Sequence, residues 1–211
     1  MPNNEHVVNF WHWFATNSRQ IHDAYRRDDH EWLDVNISPR IELIGEQLNW
    51  ELGPYNEPDN TFVLSPTIRE NLTLTRAAIM IAPKLDGWHF AFAKPLKKLL
   101  SLEFSAQNCT INADDWRYQL TAYNNGEFAD IDLFINSSNS PPTVHLNIFC
   151  ELVIEALLGE ECRLDRIGYL TPNVVDDNTT IENSTAIQHL NDHLSQLLTP
   201  TQNDVLQHES G

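Results

Sequence analysis

The chain has 211 residues, of which 41% are hydrophobic, enough to bury a core and to exclude global disorder. Thirty Asp and Glu face thirteen Lys and Arg, a formal charge of −17. A surface this acidic repels nucleic-acid phosphates and anionic lipid headgroups and attracts basic proteins. No apolar run approaches the roughly 18 residues that span a bilayer. The start, MPNNEHVVNFWHWF, has neither the basic segment nor the cleavage site of a secretory signal. Cys109, Cys150 and Cys162 are an odd number without a C-x-x-C pair, which suits reduced thiols and a cytoplasmic location.

Residues 6 to 33 read as one amphipathic helix, with Phe10, Phe14, Ile21, Ala24 and Tyr25 near one face. Trp11 and Trp13 extend its aromatic surface. Ser38-Pro39 reads as the cap and first residue of a second helix, with Ile37, Ile41, Ile44 and Leu48 as its apolar stripe. Leu48, Trp50 and Leu52 alternate with polar residues as a strand, Glu57 to Asn60 make a turn, and Thr61 to Leu64 return as a second strand. The helix from about Asn71 to Ala82 is apolar nearly all round, which predicts burial on more than one side. Trp88, Phe90 and Phe92 alternate as a third strand, with His89 pointing away from the aromatic face.

Lys94, Lys97 and Lys98 form a small basic cluster that reads as a solvated linker, and residues 96 to 114 join the two halves. Trp116, Tyr118 and Leu120 then repeat the strand pattern. Asn124-Asn125-Gly126 supplies residues that tolerate positive φ for a hairpin. Phe128 to Ile135 returns as a strand, with Ile131, Leu133 and Ile135 on one face and Asp130, Asp132 and Phe134 on the other. A helix over residues 143 to 158 ends at Gly159, and Arg163 to Leu170 reads as a last strand closed by Pro172. Ile187, Leu190, Leu194 and Leu197 mark a final amphipathic helix, and residues 199 to 211 read as a disordered tail.

Two strand-strand-helix-strand units, 48–95 and 116–172, thus recur about 70 residues apart. The expected class is α+β, with antiparallel sheets built from these units and helices flanking them at both ends, in a single domain over residues 1–198.

The residues Trp11, Trp13 and Phe14, Trp50, Glu51 and Gly53, Ala82, Pro83, Leu85, Gly87 and Trp88, and Leu158, Gly159 and Glu160 together resemble a family of uncharacterised bacterial cytoplasmic proteins. Its members begin with an aromatic helix, carry a wE-G strand and an AP-L-GW turn, and end with an LGE helix. The resemblance spans roughly residues 9 to 170. It implies a fold and a bacterial origin, and no activity.

The chemistry on offer is sparse. No P-loop, G-x-S-x-G or dinucleotide glycine pattern is present among the seven glycines. Cys150 falls inside a helix, as a core residue rather than a nucleophile. His189 and His193, four apart with Asp192 between them, are the candidate metal ligands of an alternative, enzymatic reading. The pair Asp130 and Asp132 could hold a cation or do acid–base work, although an outward polar sheet face is the simpler account. The leading expectation is a non-enzymatic protein-binding protein, immunity-like or adaptor-like, whose acidic surface meets a basic protein partner through Asp130, Asp132, Trp11 and Trp13. No cofactor, nucleic acid or membrane is expected, and a dimer is one open oligomeric state.

Overall fold

The computed structural model describes residues 4–54, 60–97, 101–176 and 181–198. The Glu57–Asp59 part of the expected turn, Lys98 and the 199–211 tail lie outside the described residues. The chain divides into two compact units, Met1–Pro95 and Leu96–Gly211, each with a core of its own.

In the first unit, α1 (Asn4–Arg26) buries Val7, Phe10, Trp11, Phe14, Ile21 and Ala24, the residues that three- and four-residue spacing gathers on one face. The helix does not continue to residue 33. Asp28 adopts φ 55°, and the Asp29 carboxylate accepts the Trp32 amide at 3.2 Å, so the two aspartates turn the chain and cap a new helix, α2 (His30–Ile44). Pro39, expected to start a helix, lies inside α2. Leu33, Ile37, Ile41 and Ile44 are its buried face.

Strands β1 (Asn49–Gly53) and β2 (Asn60–Ser65) pair antiparallel, with Trp50 opposite Leu64 and Leu52 opposite Phe62. Helix α3 (Leu72–Met80) carries the chain back to β3 (Trp88–Ala91), which lies parallel to β2 with Phe90 opposite Phe62. The expected antiparallel sheet is therefore mixed. A helical crossover reverses the chain once more than a hairpin does, so the strand that follows it runs parallel to its neighbour. Nor is α3 buried on several sides: Leu72, Thr75 and Ala78 are buried, whereas Met80 is 83% exposed.

The second unit opens with a hairpin, β4 (Glu103–Ala106) and β5 (Cys109–Asn112), closed by Gln107 and Asn108, both left-handed, as a two-residue turn requires. Strands β6 (Arg117–Tyr123) and β7 (Phe128–Asn136) pair antiparallel around Asn124, Asn125 and Gly126, all at positive φ. Then come α4 (Leu146–Leu158), α5 (Glu160–Arg166) and β8 (Ile167–Val175), the last parallel to β7.

Two expectations change here. The first residues of the expected last strand are helical, because Gly159 (φ 79°) lets one helix end and another begin at once. Acidic Glu160 and Glu161 then sit at the α5 N-terminus, and Arg163 and Arg166 at its end, as the helix dipole favours. Pro172 does not close β8, which is an edge strand and needs no donor on its free side. A short β9 (Thr185–Ala186) joins the other edge of β6, and a 3₁₀ turn over Ile187–His189 leads into α6 (Leu190–Leu197). The sheet order is β8-β7-β6-β9. Trp116, Tyr118, Ile131, Leu133, Phe149 and Val153 are among the residues fully buried at its core. Among the described residues no helix is long and apolar enough to cross a membrane.

Candidate functional site

Strand periodicity puts Ala129, Ile131, Leu133 and Ile135 of β7 in the core and turns Asp130, Asp132 and Phe134 to the other face, where each is half-buried. The two aspartates share that face, as the alternation predicts, but their surroundings differ. Between Ala129 and Ile131 the β7–β8 register slips, so Gly168 and Tyr169 stand opposite Asp130 alone. This is a bulge, and a bulge leaves a ladder amide without its strand partner. The Asp130 carboxylate accepts that amide, from Tyr169, at 2.9 Å. A Cβ on Gly168 would lie 2.7 Å from the same carboxylate and closer still to the Tyr123 hydroxyl, so glycine is what permits the approach. Asp130 thus shapes the sheet edge. Asp132, flanked in register by Gln119 and Thr171, keeps its carboxylate on the outer face. Gly168 inside an otherwise strand-like run was the signal in the sequence for this close contact.

The aromatic candidates also part company. Trp11 is 4% exposed, packs against Phe10, Phe14, Phe62 and Phe90, and donates its indole N–H to the Ala78 carbonyl at 2.8 Å. It is a core residue and is withdrawn from any partner surface. Trp13 is half-buried, and the Arg40 guanidinium lies 4.2 Å over its ring, so this face already carries a cation of the protein's own.

His189 and His193 fall one turn apart and both are exposed, with Asp192 exposed between them. His193 Nδ1 lies 3.0 Å from the hydroxyl of Tyr118, so one of its nitrogens is directed to β6. Among the described residues no three His, Cys, Asp or Glu side chains gather where they could hold a metal ion. Burial raises the Tyr118 pKa above 10.0, a hydrogen bond with the Thr185 side chain opposes the shift, and the charge of Asp192 reinforces it. The hydroxyl therefore stays protonated at neutral pH. The Cys150 thiol is 1% exposed and pushed up to about 12, first by burial and then by the neighbouring Glu151 charge. A thiol held this firmly protonated is no nucleophile.

The arginines show the clearest common behaviour. Arg163 grips Glu151 with two bonds, at 2.6 and 2.7 Å, and Arg166 donates to the carbonyls of Glu127 and Gly126. Arg117 donates to Ser184, Arg76 lies over Phe92, and Arg40 over Trp13. Comparison with family models, with characterised proteins and with solved structures finds nothing that matches this chain.

Proposed function

We propose that this chain is a non-enzymatic protein-binding protein, immunity-like or adaptor-like, that recognises a basic protein through its acidic surface. The observation that carries this reading is the acid excess, set beside arginines that are engaged by the protein's own groups. Five arginines are held against the protein's own rings, carbonyls and a carboxylate, while the formal charge is −17. The field outside the molecule is therefore dominated by carboxylates. Such a field steers a basic partner and raises its association rate more than it adds contact energy. Asp132 belongs to this surface in the proposal, whereas Asp130 belongs to the sheet.

The test is association of the purified full chain with basic proteins, captured from native lysate and then reconstituted as a purified one-to-one complex. The association rate constant should fall steeply as salt rises, and the dissociation rate should change little. A complex whose association is indifferent to salt, or the absence of any basic partner at low salt, overturns the proposal.

A further inference from the structure

Helix α2 is two-faced in an unusual way. Its buried side is aliphatic, as expected of a docked helix. Its outer side should then be wholly polar, yet it holds Val35 at 64% and Leu43 at 59% exposure. Glu31 and Glu42 are exposed on the same side. The only arginine of α2, Arg40, is turned back over Trp13 and donates to the Asn36 carbonyl at 2.6 Å. Pro39 lies on the exposed side of α2 one turn after Val35. Two apolar anchors about 12 Å apart along the axis, set among carboxylates, complement a segment with apolar and cationic residues together.

We infer that the outer face of α2 is the docking face for a basic amphipathic segment of the partner protein, with Val35 and Leu43 as apolar anchors and Glu31 and Glu42 pairing with its cations. This rests on the protein-binding reading above and gives it a location. Helix-in-groove and helix-on-helix recognition follow the same pattern of apolar anchors at helical spacing with charged flanks. A second copy of this chain fits the face poorly, because two such acidic surfaces repel.

The test uses the full chain, isotopically labelled for amide NMR, and an amphipathic peptide of lysine and leucine as probe. Saturable binding with amide shifts centred on residues 31–46 is expected. The combined Val35→Ser and Leu43→Ser substitutions should weaken it about tenfold or more. Glu31→Gln with Glu42→Gln should chiefly reduce its salt dependence. All four side chains are exposed, so thermal melts should stay unchanged and separate loss of contact from loss of fold. Peptide binding that remains salt-sensitive but is equal in all variants, with shifts around Asp132 instead, overturns the α2 face and leaves the protein-binding reading standing. No binding to this peptide or to polylysine at low salt overturns that reading itself. Self-association of the free chain that the serine variants abolish overturns the choice of partner in favour of a second copy.

Discussion

The two units fill one topology in two ways. Each places one strand, β2 or β7, between a hairpin partner, which is antiparallel, and a crossover strand, which is parallel. The first unit has short strands of 5, 6 and 4 residues and a nine-residue crossover helix. Its core sets a ring cluster beside the aliphatic face of α2: Phe10, Trp11, Phe14, Phe62 and the partly buried Trp88 and Phe90 meet mostly edge to face or tilted, with Trp88 and Phe90 stacked and Phe14 4.9 Å from Trp88 and 5.1 Å from Phe62. In the second unit the matching strands β6, β7 and β8 have 7, 9 and 9 residues, and the crossover runs through α4 and α5. Its core is mainly aliphatic, supplied by alternation along the longer strands. A short sheet offers few inward positions, so each must bury more area, and aromatic side chains do that. Charge divides as unevenly. The first unit has eight Lys and Arg against thirteen Asp and Glu, a balance of −5; the second has five against seventeen, a balance of −12.

The sharpest way to break this comparison is to remove one core at a time. Phe14→Ala should cost about 3–5 kcal/mol, the usual range for a fully buried aromatic. Five of the six tryptophans lie before residue 96 and only Trp116 after it, so tryptophan fluorescence in a urea titration reports chiefly on the first unit. Because the two cores have no residue in common, the loss should appear in that signal while amide exchange at Leu133 and Val153 keeps its protection. Equal loss of protection in both units would mean one cooperative core.

Asp130→Ala should cost about 1–2 kcal/mol, because the Tyr169 amide loses a charged acceptor at a half-exposed edge. Asp132→Ala should cost less than half of that. Urea midpoints of the two variants, measured side by side, test the distinction between an aspartate that holds a bulge and one that faces outward.

The effect that vanishes at neutral pH is confined to alkaline solution. An acid kept neutral by burial stabilises the fold fully below its unfolded pKa and loses that contribution as pH rises through its folded pKa. For Cys150 the window opens near 9.0 and closes near 12, with at most about 1.4 kcal/mol lost per pH unit. Tyr118 acts in the same direction above 10.0. The slope of stability against pH above 9 should be shallower in Cys150→Ala than in the parent chain, and identical slopes would remove Cys150 from the account.

Much of the architecture was legible because it is local. Alternation along Phe128–Ile135 separates Ile131, Leu133 and Ile135 from Asp130, Asp132 and Phe134, and the structure divides them the same way. The apolar stripes of α1, α4 and α6 identify helices that need only their own spacing to be recognised. The Asn-Asn-Gly run encodes positive φ in its residue types and adopts it at all three positions. The candidate site was less legible. That Asp130 holds a bulge depends on a register slip against β8, 38 residues later, which no pattern within β7 contains. That Trp11 is core while Trp13 lies under Arg40 depends on where β2, β3 and α2 pack.

By itself, then, the sequence determined most of the element types, the inward faces of α1 and β7, the repeated strand-strand-helix-strand order and the acid excess, because each follows from neighbours a few residues apart or from composition. Tertiary structure alone decided that the sheets are mixed, whereas the start of α2 at Asp28 and Asp29 and the start of α5 after Gly159 rest on local residues. It also decided which carboxylates and arginines are committed to the fold. A side chain's partner is set by chain segments far off in sequence, and the strength of a local preference cannot name them.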